Sequence, residues 1–322
     1  MRSVGDPEFA RNYGFWSEAE QRALIGSRVA IAGVGGVGFQ VGSKLARMGV
    51  GSFSIADPEE FEPVNTNRVP GATTHTYGRS KAEVFRDEVR AINPHAVVHL
   101  YRDGVTAENA TEFLRGADLL FDESETTHPE IGTAIARGAR ALGIPDLLVV
   151  NVGFAATVTA FRPNSRFTFE RFMGLPADAP LEEIAKESVD FSRFLPYIPA
   201  YSDLRGLVAM TTDAPDGSRP SLPSIAPGVD LASAIGTTQA FLHLTARAGV
   251  ANRRRRPVWA PRVAVVDAYA LRARIIRANK ATHLRHLLTA LLRDRAGRNP
   301  RGAYTHAEIA DREARSAGRI EE

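Results

Sequence analysis

The chain has no cysteine in its 322 residues. That excludes a disulfide, a tetra-thiolate zinc site and a thiolate nucleophile. It also lacks any apolar run as long as a membrane span, and no signal peptide opens it, so the sequence reads as cytoplasmic with no membrane partner. Internal repeats and low-complexity tracts are missing too. Excess charge is scarce: 40 Lys and Arg against 37 Asp and Glu leave a formal +3, too little to argue for nucleic acid by itself. The imbalance is local. Arginines outnumber acids between Arg253 and Arg301, and Arg253 to Arg256 form an unbroken run. That run, with Arg285, Arg293 and Arg295, has the charge to meet RNA phosphates. No aromatic residue interleaves with it, however, and base stacking would want one. A solvated face or an acidic partner surface is the commoner setting.

What is present is ordinary for a soluble globular protein, with 44% hydrophobic and 24% charged residues. The length is enough for a full core, long for one doubly wound domain and short for two large ones. Apolar runs predict strands at Arg28 to Gly33, Ser52 to Ala56, Ala96 to Tyr101 and Asp118 to Phe121, and further strands near Leu147 to Val152 and Ala156 to Phe161. Helical spacing predicts helices at Val37 to Met48, Arg79 to Ile92, Ala107 to Arg115 and Ile131 to Leu142. The alternation argues an α/β fold with a Rossmann-like, doubly wound, mostly parallel sheet. Glu60 to Tyr77 holds Pro63, Pro70 and Gly71 and reads as a loop.

After Pro163 prolines become frequent, and only Leu181 to Phe191 has helical character until Val229 to Ala246, a strong apolar helix. Arg262 to Ile276 reads as terminal strands, and Ala281 to Leu292 as a basic amphipathic helix followed by a loose tail. The expected organisation is an N-terminal arm and lead-in helix (1–26), a nucleotide domain (27–163), a Pro-rich crossover or insertion facing substrate (164–228), a returning helix with terminal strands (229–278), and the basic helix and tail (279–322).

The chemistry gathers early in the chain. Gly33, Gly35, Gly36 and Gly38 lie in VAIAGVGGVG, directly after the first strand and at the start of a helix. Glycines there let main-chain N–H groups approach a phosphate at a helix N-terminus. This fingerprint alone serves NAD, FAD or ATP. Asp57 follows the second strand, where a ribose-binding acid belongs. Beyond it stand Asn65, Asn67, Arg68 and Lys81. Two amides and two cations suit a triphosphate, since a guanidinium binds phosphate oxygens in a fork and an ammonium acts as a point charge. A nicotinamide enzyme needs a hydride-transfer partner instead, and His128, His243 and His283 stand in no recognisable setting. Each polar residue has a plainer reading as well. Asn65 and Asn67 favour turns wherever they occur, and Arg68 and Lys81 alone would be solvated.

In their order and spacing, the glycine loop, Asp57, NTNR at 65 to 68 and Lys81 resemble the E1-like adenylating enzymes, the ThiF, MoeB and HesA group related to ubiquitin-activating enzymes. The resemblance runs from about Ser3 to Pro163. The NTNR wording is closest to the tRNA threonylcarbamoyladenosine dehydratase branch. RNYGFWSEAEQRAL resembles the group's lead-in helix, and PSIAPGVDLASAIGTTQAFLHL its helix returning after the crossover.

The resemblance implies an adenylyltransferase that binds ATP with Mg²⁺ and activates a carboxylate. The carboxylate would belong to the C-terminal glycine of a small ubiquitin-like or sulfur-carrier protein, a peptide or a small molecule. It assigns nucleotide contacts to Asn65, Asn67, Arg68 and Lys81, and the second acid after the DLLF strand to Mg²⁺. The sequence departs there: after Asp122, glutamate Glu125 stands where aspartate is expected, and Thr126 replaces an asparagine. It further implies a homodimer in which Arg11 reaches the partner's ATP site. Phe15 and Trp16, near the N-terminus, read as packing between subunits rather than as ligand contacts. The structural zinc and catalytic cysteine common in the group are excluded here, so an activated substrate would leave as an acyl-adenylate. Three other readings stay open: a dehydratase acting on a modified-tRNA carboxylate, a non-catalytic scaffold suggested by Glu125, and a NAD-dependent oxidoreductase.

Overall fold

The computed structural model describes residues 2–124, 126–203, 223–250 and 257–295. Glu125, the Arg253–Arg256 run, the side chain of Arg295 and the tail beyond it lie outside the described residues. The first five strands are β1 (Arg28–Ala32), β2 (Ser52–Ala56), β3 (Val97–Tyr101), β4 (Leu119–Asp122) and β5 (Asp146–Val152). They are followed by β6 (Ala155–Phe161), β7 (Arg262–Asp267) and β8 (Arg272–Arg277). All eight join one sheet in the order β3-β2-β1-β4-β5-β6-β7-β8. Pairing is parallel from β3 to β5 and antiparallel from β5 to β8. The order reverses at β1, flanked by β2 on one side and β4 on the other. In an open α/β sheet the crevice for ligands lies at that reversal, beyond the carboxyl ends of the strands.

Helices cover both faces. α1 (Glu18–Gly26) opens with a capping box in which the Ser17 and Glu20 side chains satisfy each other's main-chain N–H groups. α2 (Gly36–Arg47) and α3 (Lys81–Ile92) lie on one face with α8 (Ala226–Arg247), burying a core of Phe39, Phe53, Phe85, Phe121 and Leu244 among others. Gly42 permits the contact between α2 and α3, because a Cβ there would sit 2.1 Å from the Phe85 ring. α4 (Ala110–Leu114) and α5 (Pro129–Ala141) cover the opposite face around Phe113, Leu120 and Ile135. A third cluster under β5 to β8 joins Phe161 of β6 to aromatic residues of α6 (Phe169–Met173) and the 3-10 turn Phe191–Tyr197. α7 (Leu181–Ile184) and α9 (Lys280–Arg295) complete the described helices.

Two expectations change. The helix expected over Leu181 to Phe191 is one turn, α7, and the chain then continues as coil to the 3-10 turn. Pro180 starts that turn, and Pro196 prevents regular helix further on. Trp16, expected between subunits, packs within its own chain: its ring centroid lies 5.2 Å from that of Phe241 on α8. Its Nε1 donates to Gln21 Oε1, while Gln21 Nε2 donates to the carbonyl of Met48. The N-terminal arm is thereby fastened to the C-terminal end of α2.

Candidate functional site

The glycine loop is shaped by what it must approach. Gly33 has φ of +95°, and a Cβ on it would lie 2.3 Å from the carbonyl oxygen of Glu123. A Cβ on Gly38 would meet the Gly33 carbonyl oxygen at 2.0 Å. Both positions therefore exclude a side chain. The ends of three strands are stitched together here: Gly33 N–H donates to Ala56 O at 2.8 Å and Glu123 N–H to Ala32 O at 2.9 Å. Gly35 is the N-cap of α2 and supplies no side chain, so the helix opens with uncapped N–H groups. Nothing lies within 4 Å of where a Gly35 Cβ would be. This is the geometry of an anion site: free donors, the positive end of a helix, and room in front.

Asp57, only 4% exposed, holds this loop in place. Its Oδ2 accepts from Val34 N–H at 2.8 Å and its Oδ1 from Glu59 N–H at 2.9 Å. Burial pushes its carboxyl up, while nearby Lys81 and the two main-chain donors pull it back down. Lys81 is buried at the start of α3 and pairs with Glu59, whose side chain is 55% exposed. Glu59 was not singled out from the sequence. It is simply the second residue after Asp57, and its role depends on a lysine 22 positions away.

Arg68 and the amides organise the loop after β2. Asn65 is buried in the middle of the 3-10 turn Pro63–Asn67, and its Oδ1 accepts from Glu62 N–H at 3.0 Å. That oxygen is committed to the turn, as the plainer reading of asparagine suggests. Arg68 Nη1 donates to Val64 O and to Asn67 Oδ1 at 3.1 and 2.9 Å. Its side chain passes 3.6 Å from where a Gly36 Cβ would stand, which sets it beside the N-terminus of α2. Asn67 Nδ2 reaches Ser224 O at 2.8 Å, just before α8. Asn151, at the end of β5, donates to the hydroxyl of the same serine at 3.0 Å. Ser224 thus joins two sides of the crevice, which sequence spacing did not reveal.

At the end of β4, Asp122 is 1% exposed. Its Oδ1 accepts from the main chain and hydroxyl of Ser124, whereas its Oδ2 has no hydrogen-bond partner among the described residues. Burial pushes this carboxyl up to about 6 against the pull of the Ser124 donors. Glu123 beside it is also pushed up, by burial first and then by the Asp122 charge. No cluster of three or more metal-ligating side chains occurs among the described residues. Arg11 is exposed on the N-terminal arm. That arm packs at the far end of α2, where Phe9 and Gln21 touch Gly49. Twelve helical residues, about 18 Å, separate that end from Gly35. The structure therefore gathers Gly33, Gly35, Gly36, Gly38, Asp57, Asn65, Asn67, Arg68, Lys81 and Asp122 around the carboxyl ends of β1, β2 and β4, and leaves Arg11 away from its own chain's crevice. Of the histidines, His243 is a core residue against Trp259, and burial lowers its pKa to about 4.

The ThiF family profile matches residues 9–283. The chain belongs to the ThiF family. It is 35% identical over 97 residues to the tRNA threonylcarbamoyladenosine dehydratase of Haemophilus influenzae, covering 30% of this chain and 37% of that protein. It is 35% identical over 105 residues to the sulfur carrier protein adenylyltransferase of Thermus thermophilus, covering 33% and 39%. With the sulfur carrier protein ThiS adenylyltransferase of Escherichia coli it shares 28% identity over 145 residues, covering 44% and 56%. The matches thus span between about a third and just over half of these curated relatives' length. In fold it resembles the solved E. coli MccB with ATP, with TM-score 0.59, 16% identity, and 87% and 74% of the two chains covered. It likewise resembles PaaA, with TM-score 0.57, 18% identity, and 81% and 75% covered. No described helix is long and apolar enough to cross a membrane.

One buried group near the site gives a pH test. Asp146 opens β5, is 2% exposed, and has no hydrogen-bond partner for either carboxylate oxygen among the described residues. Burial, then the charges of Asp122 and Glu170, push its pKa well up. The folded protein therefore keeps a proton there that the unfolded chain releases near its ordinary value of about 3.9. The stability linked to that proton is full below the unfolded pKa and is lost as pH rises through the folded one. Asp146→Asn removes this loss. The melting temperature of the variant relative to the parent should rise between pH 4 and pH 8 in a thermal denaturation series, and a difference independent of pH would contradict the assignment.

Proposed function

We propose that this chain is an ATP-dependent adenylyltransferase that activates a carboxylate as an acyl-adenylate, releases pyrophosphate, and uses no catalytic cysteine. The observation that carries the reading is the convergence of the uncapped N-terminus of α2, Arg68 and Lys81 around the buried Asp57, in a ThiF-family chain. In the proposed reaction an oxygen of the substrate carboxylate attacks the α-phosphorus of ATP. The bond from that phosphorus to the bridging oxygen breaks, and pyrophosphate leaves with the electron pair. N–H groups of the first turn of α2 donate to the phosphates, and Arg68 and Lys81 offset the charge growing on the leaving group. Asp57 has lone pairs left for ribose hydroxyls while it holds Val34. Lys81 must exchange Glu59 for phosphate. Glu59 carries one charge and is half exposed, whereas a triphosphate brings several, so Coulomb attraction favours the exchange.

Mg²⁺ fits Asp122 Oδ2, which has no partner among the described residues, as an oxygen donor, and when bound would neutralise phosphate charge; the family resemblance gives Glu125, outside the described residues, the role of second acid. The acyl substrate belongs to the C-terminal glycine of a ubiquitin-like or sulfur-carrier protein, a peptide or a small acid, the first being what the Thermus and E. coli relatives' names suggest. A second reading is a dehydratase acting on a modified-tRNA carboxylate, favoured by the relatives at 31 to 35% identity that carry that name. The protein works as a homodimer in the cytoplasm. The remoteness of Arg11 from its own crevice suits its delivery to the partner's triphosphate.

Arg68→Ala and Lys81→Ala should each slow carboxylate-dependent ATP–pyrophosphate exchange by about tenfold to more than a hundredfold, from the lost phosphate contact. Unchanged rates in folded variants would place the triphosphate elsewhere. Sedimentation should give twice the chain mass, and mixing Arg11→Ala with Arg68→Ala chains should restore about one working site per mixed dimer. No recovery after confirmed subunit exchange would rule out a shared site.

A further inference from the structure

A group of exposed apolar residues stands on the rim of the sheet that also carries the nucleotide crevice. Phe154 lies in the turn between β5 and β6, and Tyr269 and Leu271 in the turn between β7 and β8. They are 40%, 69% and 90% exposed. Tyr201 joins them: its ring centroid lies 4.7 Å from that of Tyr269 and 6.2 Å from that of Phe154, and its hydroxyl accepts from Phe154 N–H at 2.8 Å. Register places these turns on the carboxyl side of the parallel strands, because Val152 pairs with Ala155, Ala155 with Asp267, and Asp267 with Arg272.

Leu271 is the anomaly. It is the one non-glycine residue with positive φ among the described residues, at +49°, and its side chain is spent on solvent. A glycine would hold that turn without strain. A leucine kept in a strained, solvent-facing turn points to something that covers it. Arg272 and Arg274 follow directly and are exposed, while Asp267, the acid of this hairpin, receives Ala270 N–H at 3.0 Å.

A continuous strip runs from these rings to the phosphate cations. Tyr201 touches Gly153, and a Cβ on Gly228 would lie 1.9 Å from the Gly153 carbonyl oxygen, so the start of α8 is pressed against this turn. Asn151 then binds Ser224, Ser224 binds Asn67, and Asn67 binds Arg68. The strip is apolar at its outer end and lined by amides and main chain near the crevice. From β1 to β6 is three strand spacings and to β7 four, which is roughly 14 to 19 Å at about 4.8 Å each. An extended peptide at about 3.3 Å per residue covers that in five or six residues.

We propose that Phe154, Tyr201, Tyr269 and Leu271 form a specificity platform for a polypeptide substrate, gripping a large apolar side chain about six residues before the carboxylate that is activated, with acidic neighbours against Arg272 and Arg274. This rests on the adenylyltransferase reading for the fate of the carboxylate, though not for the binding itself. A small acid would have no use for a platform this far from Arg68. RNA is disfavoured because the three rings pack tilted or edge-on to one another rather than presenting parallel faces, and leucine has no face on which a base stacks.

The test uses the full chain and fluorescein-labelled nonapeptides ending in two glycines, with two aspartates at the amino end. One carries leucine at the seventh position from the C-terminus, a second carries serine there, and a third has the leucine moved to the third position from the C-terminus. Fluorescence anisotropy without ATP should give the first peptide at least tenfold tighter binding than the other two. Leu271→Gly, which relieves the turn, should melt no lower than the parent protein yet bind the first peptide at least tenfold more weakly. Equal affinity for all three peptides, or an unchanged Kd in Leu271→Gly and Tyr269→Ala, overturns the proposal. A platform variant that loses affinity for unfractionated tRNA while holding the peptide also overturns it. Platform-dependent peptide binding with no ATP–pyrophosphate exchange would leave the platform standing and remove the adenylation reading alone.

Discussion

The Asp57 carboxylate is the constraint on which the rest of the site depends. By accepting the Val34 N–H at 2.8 Å it ties the end of β2 to the loop after β1, and so fixes where α2 begins. The Gly33 to Ala56 hydrogen bond repeats the tie one residue earlier. With the loop held from the β2 side, the close approach of Gly33 to the Glu123 carbonyl locks it from the β4 side. The helix N-terminus is then aimed at the place where the strand order reverses. Burying that carboxylate is unfavourable, and the structure offsets the cost with two main-chain donors and the Lys81 charge. The same lysine is thereby held where a nucleotide's phosphates would need it. Shaping of the site and storage of its charge are therefore one arrangement.

Much of the left half of the sheet was legible in the sequence because its signals are local. A β-type run ending in glycines, a helix spacing, and an acid closing the next run each report on a few consecutive residues. The strands and helices from Arg28 to Phe161 accordingly stand within a few residues of where periodicity placed them. The convergence of Arg68 and Lys81 on the glycine loop was legible only through a known resemblance, since neither residue has a local signature. Glu59 and Ser224 escaped because their roles come from partners 22 and 157 positions away. Asn65 shows the opposite case. Its turn-forming chemistry was readable from composition, and its oxygen is used that way.

The right half is a different kind of structure. Past β5 the chain gives up parallel crossovers for an antiparallel run, and α8 comes back over β5 and β6 to rest against α2. Gly228 and Gly236 allow that approach, the first against the Gly153 main chain and the second against Val149. The short, proline-rich pieces between Pro163 and Ser202 carry little periodicity because aromatic contacts hold them. Phe172 alone meets Phe161, Phe167, Phe194 and Tyr197. Such packing has no period to read. Through Asn151 and Ser224 this half fixes the far wall of the crevice.

The central claim is that the ends of β1, β2 and β4 form one ATP site and not a dinucleotide site. Isothermal titration of the purified chain with ATP and Mg²⁺, and separately with NADH, tests it most directly. The account predicts saturable binding of ATP with little or no heat from NADH, and a weakened ATP isotherm in Arg68→Ala. Tight NADH binding with none for ATP would contradict it.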